Sequence, residues 1–467
     1  MESAAKIQRE ATTISLQGST SGEAGKEDHA SDEMLKISKV ATSLRDKLDS
    51  LTPLSTTCCI YRVPQKLREV NMEAYTPRVV SIGPLHHGKR HLVAMEKHKL
   101  RYLQNFLSKS SKTLEECVEI ISREEKRARD CYMERIDMNS EEFVAMILLD
   151  GCFIIEVILG EQNWDGCTRK PDDQIFDKPW LIYDVRRDMT LLENQLPFFL
   201  LLTLYSQLEV MAVPGHQNHY YSFLLLSVNF FEYYSQMPEA KSYEEIIETI
   251  AKKVSSTGEE IKHFVDLLIV CQRPSSTRPQ NQSDFKFMIP SATQLHEAGV
   301  RFELGSKKEC LLDIVYRRRD GVLKIPRLKL GDRCESLFRN LIAFEQCHYE
   351  EDRYITDYIF LMDQLINTTK DVDVLVNKGI IDNWLGDNVA VTNLFNNLLI
   401  NTVSASDFYL AGITNGLNKY CDIRWNRWKA ALRRDYFCSP WRGASTIAAV
   451  ILLLTLIQTI FSGMSVK

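Results

Sequence analysis

The sequence predicts a mainly α-helical body with a small antiparallel β-sheet, an α+β arrangement, followed by one C-terminal transmembrane helix. Three observations lead there. Apolar residues recur at helical spacing through most of the 467 residues. Around Asp320–Gly321 the period changes to two on both sides of the pair, the pattern of a hairpin. From Ala444 to Ser462 the chain reads ASTIAAVILLLTLIQTIFS with no charge inside, which matches the ~20 apolar residues a helix needs to cross hydrocarbon. Thr446, Thr455 and Thr459 can return their hydroxyls to helix carbonyls, and Gln458 is the one costly side chain.

Composition narrows the function classes. A hydrophobic share of 45% and a charged share of 25% suit a globular body with a sizeable core. The net charge of −5 shows no domain-wide basic excess, so nucleic acid is not an expected partner. The 12 cysteines form no C-x-x-C pair and lack histidines at zinc-finger spacing. They read as small buried hydrophobes in a reducing compartment. The polar N-terminus has no apolar signal region, which points to synthesis in the cytosol and insertion by the tail. Arg424, Arg427, Lys429, Arg433, Arg434 and Arg442 precede the apolar stretch and only Lys467 follows it. The positive-inside rule then keeps the body cytosolic. The sequons at Asn281 and Asn367 would stay unglycosylated.

Taken in order, residues 1–33 read as a disordered arm, low in aromatics and rich in Ser, Gly, Glu and Lys. The body is expected over 34–423. It opens with an amphipathic helix carrying Ile37, Val40, Ala41, Leu44, Leu48 and Leu51 on one face, ended by Pro53. Two short extended pieces, Ile60–Val63 and Val79–Ile82, are flanked by prolines. A loop with His86, His87, His91 and His98 follows, then a helix bearing Leu92, Met95, Leu103 and Phe106. His87 and His91 have the i,i+4 spacing of helical metal sites, but Gly88 lies between them and no carboxylate or thiol completes a set. A structural loop is the expectation there.

Thr113 is placed to cap the next helix, whose charged face includes REEKRARD. Asn139 or Ser140 opens EEFVAMILLDGCFIIEVIL, where Asp150 and Glu156 interrupt an apolar run; this is the expected central core helix, not a second span. In WLIYDVRRDMTLLENQLPFFLLLTLY, Asp184 and Asp188 can pair with Arg186 and Arg187, and Asn194 can cap the helix running through Leu204. Glu193, Asn194 and Gln195 admit two readings, a catalytic cluster or a mutually satisfied polar joint between core helices. The joint needs fewer assumptions.

Further apolar helices follow at YYSFLLLSVNFFEYY and EEIKHFVDLLIVCQRP, with a surface helix at SYEEIIETIAKKV between them and a Pro- and Ser-rich insertion after Pro274. GVRFELG and LLDIVYRRRDGVLKIPRLKL supply the sheet; Arg317, Arg318 and Arg319 read as edge-strand charges rather than a phosphate patch. The remaining helices have Asp371 and Asp387 as caps and Gly379 as a stop. Asp371–Val372–Asp373 resembles a metal-binding D-x-D, which capping explains more simply. Residues 424–443 mix Arg and Lys with Trp, Tyr and Phe and suit an anionic headgroup layer before the span at 444–462. No phosphate-binding loop, dinucleotide fingerprint, zincin motif or nucleophile elbow is present.

Several stretches together resemble a large plant family catalogued as domain of unknown function 247. They include IYRVPQKLREVN, YTPRVVSIGPLHHGKRHL, SEEFVAMILLDGCFIIE, RRDMTLLENQLPFFLL, SLFRNLIAFEQCH and the closing PWRGASTIAAVILLLTLIQTIFS. Leu85 stands where an aromatic is common, and Tyr183 interrupts the usual run before Asp–Arg–Arg. The resemblance implies a mostly helical plant membrane protein with one C-terminal span. It implies no catalytic residues, cofactor or metal. Some relatives are linked to pollen–stigma self-recognition in grasses, which associates the family with recognition or signalling. The expected function is therefore a membrane-anchored interaction protein with lipid and protein partners. The alternative is an enzyme, a hydrolase or transferase, with a polar site around Glu193 and His87.

Overall fold

The computed structural model describes residues 27–49, 57–161, 173–209, 218–232, 243–257, 260–274, 288–306, 310–403, 408–423 and 440–464. The N-terminal arm before Glu27, most of the insertion after Pro274, Asn281 and the basic stretch 424–439 lie outside the described residues. The chain divides into two units, Met1–Thr56 and Thr57–Lys467.

In the first unit α1 spans Glu27–Asp49. It starts upstream of the expected boundary, within the stretch read as disordered. Ile37, Val40, Leu44 and Leu48 are exposed.

The second unit is built around one helix. After α2 (Gln65–Val70) and a 3₁₀ turn at Met72–Tyr75 come α3 (Val93–Lys109), α4 (Leu114–Asp130) and α5 (Ser140–Glu161). Two of the expected caps form here. Thr113 and Glu116 make a reciprocal capping box on α4, and Asn139 Oδ1 accepts from Glu142 N at 2.8 Å. α5 is apolar around its whole circumference, so it must be enclosed; it packs against α3, α4, α8 (Phe198–Tyr205) and α9 (His219–Phe230). Asp150 and Glu156 are tolerated because α3 supplies Lys99 and Lys109 opposite them. Among the described residues α5 is the one helix long and apolar enough to cross a membrane, and it is a buried core helix.

Between α5 and α8 lie the single turn α6 (Gln174–Asp177) and α7 (Pro179–Asp188). α10 (Tyr243–Thr257) packs on α9 and α11 (Phe264–Gln272), and α12 covers Ala292–Glu297. No disulfide joins the ten described cysteines, most of them buried.

The sheets differ from expectation. β2 (Val315–Arg317) and β3 (Val322–Ile325) form the antiparallel hairpin read from Asp320–Gly321, pairing Arg317 with Val322. Gly321 takes φ +62°, and a Cβ there would sit 2.6 Å from the Tyr420 ring. However, β1 (Arg301–Leu304) joins the other edge of β3 in parallel, Arg301 opposite Val322, so the three-stranded sheet is mixed rather than antiparallel. β3 is thus the central strand, and all but one of its residues are buried. A second, two-stranded sheet pairs β4 (Leu328–Leu330) in parallel with β5 (Ile381–Asn383). Arg317, Arg318 and Arg319 are exposed at the β2 edge.

Between β4 and β5 run α13 (Cys334–His348), α14 (Tyr354–Leu365) and α15 (Thr369–Asn377). Asp371 closes a capping box with Thr368, and Asp373 accepts from Asn388 at 2.6 Å. The D-x-D stretch is thus spent on local structure. α16 (Asn388–Leu398), capped by Asp387, and α17 (Ala411–Asp422) complete the body. α18 spans Pro440–Met464 and encloses the expected 444–462 stretch. Its described apolar run is Ile447–Thr459.

Candidate functional site

The polar residues singled out in the sequence converge on an extended strap, residues 57–83, laid across the helical core. Ile60–Val63 and Val79–Ile82 are extended as expected, yet neither is part of a sheet; an isolated bridge from Ile60 to Tyr132 is all the strand pairing they have. Buried backbone N–H groups still need acceptors. Side chains from the core supply them.

Asp188 accepts from three consecutive amides, Arg78 at 2.9 Å, Val79 at 2.7 Å and Val80 at 3.1 Å. Burial pushes its carboxyl upward and those three bonds pull it back. Arg187 lies beside it at 2.9 Å and also donates to Thr76 O and Glu73 O. Asn194 Oδ1 accepts from Ile82 N at 2.7 Å while its amide donates to Val80 O and Asp188 O. Asn194 therefore does not cap the next helix as expected; Pro197 occupies that position. Asp150 accepts from Gly83 N at 2.8 Å, and Lys99 donates to Ser81 O at 2.7 Å while paired with Asp150 and Glu96. Burial alone would lower the Lys99 ammonium, but these two carboxylates outweigh it and raise it.

Gln195 is saturated as well. Its amide donates to Met189 O and Leu191 O, and its Oε1 accepts from Phe264 N. Gly83 adopts φ +70°, and a Cβ there would fall 2.6 Å from Gln195 O and 2.9 Å from the Tyr132 hydroxyl. Gly83→Ala is expected to lower stability by at least about 2 kcal/mol, since strain and clash act together; a shift of the urea midpoint reads it.

Glu193 closes the strap at its other end. Its carboxylate accepts from Val63 N at 2.7 Å and meets Arg68, with Arg62 at 3.5 Å and His86 Nε2 at 3.3 Å. Burial acts to raise this carboxyl, but His86, Arg68 and the Val63 amide prevail and hold it at about 2. His86 is itself buried, with Lys89 2.7 Å from Nδ1. Burial keeps its pKa below the ordinary value despite Glu193, Lys89 meets its Nδ1, and Nε2 lies 3.3 Å from the Glu193 carboxylate without forming a well-aligned hydrogen bond.

The histidines named from the sequence do not gather. His87 is exposed and faces no partner of the set, while His91 meets Pro77 O at 3.2 Å. His86, next to the expected His87, is the one that reaches Glu193. No group of three or more metal-ligating side chains forms among the described residues. Chemically, Glu193 is a carboxylate surrounded by donors, accepting from Val63, Arg62 and Arg68 with His86 beside it. It is arranged to hold the strap rather than to take a proton from a substrate. His263, missed in the sequence, has a related task. Its Nε2 donates to Cys59 O at 2.9 Å, and its Nδ1 caps α11 by accepting from Asp266 N. Burial lowers it to about 4. No periodicity or motif marks it.

A family model described as a plant protein of unknown function matches residues 60–455. The chain is similar to UPF0481 protein At3g47200 of Arabidopsis thaliana, 33% identical with 86% of each chain covered. It is also similar to putative UPF0481 protein At3g02645 of Arabidopsis thaliana, 23% identical over 93% of this chain and 96% of that one. No solved structure matches.

Proposed function

This chain belongs to the plant protein family DUF247, of unknown function, and from that premise we propose a membrane-anchored interaction protein whose body lies on the cytosolic side. One observation carries the anchor. In α18, Ile447, Val450, Ile451, Leu452, Leu453, Leu454, Leu456 and Ile457 are all about half exposed or more, 46–64%. These side chains point in every direction around the helix, so no single packed face covers them. Each gains roughly 1.5–3 kcal/mol on leaving water, and hydrocarbon receives all sides at once. The Arg- and Lys-rich stretch before the helix supports the cytosolic placement.

The proposed partners are the bilayer, through α18, and other proteins, through the body. The saturated strap supports a binding role over catalysis, because its polar groups already serve the fold. Removing residues 440–467 is expected to move the protein from the carbonate-resistant membrane pellet to the supernatant. A truncated chain that stays in the pellet would refute the anchor. Asn367 is exposed, so a glycosidase-sensitive mass shift at that position would reverse the orientation.

A further inference from the structure

A cleft of about 350 Å³ opens beside the strap, and neither Glu193 nor any histidine lines it. It lies where the strap, α7 and the start of α13 meet. Arginine reaches it from all three, as Arg78, Arg187 and Arg333, and so do carboxylates, as Glu73, Asp184, Asp332 and Glu335. The two signs are interleaved. An anion would meet four carboxylates and a cation three guanidinium groups, so neither finds a favourable field. The surface is mostly polar, which disfavours a lipid or an aromatic hydrocarbon.

What fits is a neutral ligand dense in hydroxyl groups. Each hydroxyl both donates and accepts, whereas carboxylates only accept and guanidinium groups only donate. A wall that alternates the two satisfies a polyol without a charge mismatch. Trp180, 59% exposed, lines the same cleft and offers an apolar ring face to the C–H side of a pyranose. The polar groups are held in place before any ligand arrives. Asp184 pairs with Arg78 at 3.3 Å, and Glu335 accepts from Asn71 and Arg339, each at 2.8 Å. The Arg333 guanidinium sits 4.1 Å over the Tyr183 ring. Such preorganisation limits what binding must order, and the volume falls in the range of small-ligand sites. We propose that this cleft is a saccharide-binding site.

The test uses the full chain in nanodiscs with glucose, galactose, xylose and cellobiose, each read by saturation-transfer NMR. At least one of these is expected to show transfer that survives a rise in salt. The apparent affinity is expected to fall about tenfold in Trp180→Ala, through loss of the ring contact, and also in Asp332→Ala. Both residues are exposed, so an unchanged far-UV spectrum checks that the variants fold. No transfer from any of the four sugars would overturn the proposal, as would transfer that persists in Trp180→Ala. Salt-sensitive binding of inorganic phosphate without sugar binding would make this an anion site, which also overturns it. These outcomes do not depend on whether α18 enters a bilayer.

Discussion

Lys99→Met is expected to destabilise the body by about 3–5 kcal/mol, the cost of leaving a buried charge without its partner. Lys99 has no exposed surface and Asp150 almost none. The ammonium also ties α3 to the strap through Ser81 O. Without it Asp150 keeps the Gly83 amide alone, on a helix otherwise packed in hydrocarbon side chains. The double variant Lys99→Met, Asp150→Asn removes the stranded charge and retains an acceptor for Gly83. It is expected to recover more than half of the loss. Urea midpoints of the three proteins decide the matter: equal midpoints for the single and double variants would show that the pair is not coupled.

The second large effect concerns Glu193 and acid. Its folded pKa of about 2 lies below the reference 4.5, so its contribution is fully present above 4.5. It is lost as pH falls from there toward 2, because the unfolded chain takes up the proton first. That contribution is about 3 kcal/mol. His263 acts in a higher window. Its folded pKa of about 4 lies below the reference 6.5, so stability declines as pH drops from 6.5 toward 4. Glu345, held at about 8 by burial, works the other way, since the folded chain takes up its proton first as pH drops from 8 toward 4.5. It offsets the His263 decline, and the steep loss in the native chain is expected below 4.5. Glu193→Gln is expected to cost about 2–4 kcal/mol at neutral pH, since Arg68 and the Val63 amide lose a charged acceptor. It should also flatten the lower part of the profile and leave the His263 part intact. A stability–pH curve with the same slope below 4.5 in both proteins would contradict the assignment.

Much of the fold is legible in the sequence because its signals are local. Thr113 with Glu116 announces a helix start within four residues, and Asp320–Gly321 announces a hairpin. The two acids inside α5 mark it as a core helix, since buried charge there demands partners. The mixed character of the sheet was not legible. Whether β1 joins the free edge of β3 or the free edge of β2 is decided by how the hairpin packs, and side-chain alternation is the same in either case. The parallel β4–β5 pair joins residues separated by three helices, too far apart for any local pattern.

The candidate site shows the same division. Residue type alone indicated that Glu193, Asn194 and Gln195 in apolar surroundings must be paired, because unpaired polar groups in a core are too costly to keep. It could not show that Glu193 and Asn194 take backbone amides of a strap about a hundred residues earlier while Gln195 takes the Phe264 amide, nor that His86 rather than His87 faces inward. Adjacent residues in a loop turn opposite ways, and only the packed neighbours select one. By itself, then, the sequence determined the helices, the hairpin and the apolar C-terminal run, all properties of spacing and composition, and the family through its resemblance to known members. Tertiary structure decided which acceptor meets which donor and where an open, charge-balanced cleft remains, because those follow from distances between segments that the chain brings together only on folding.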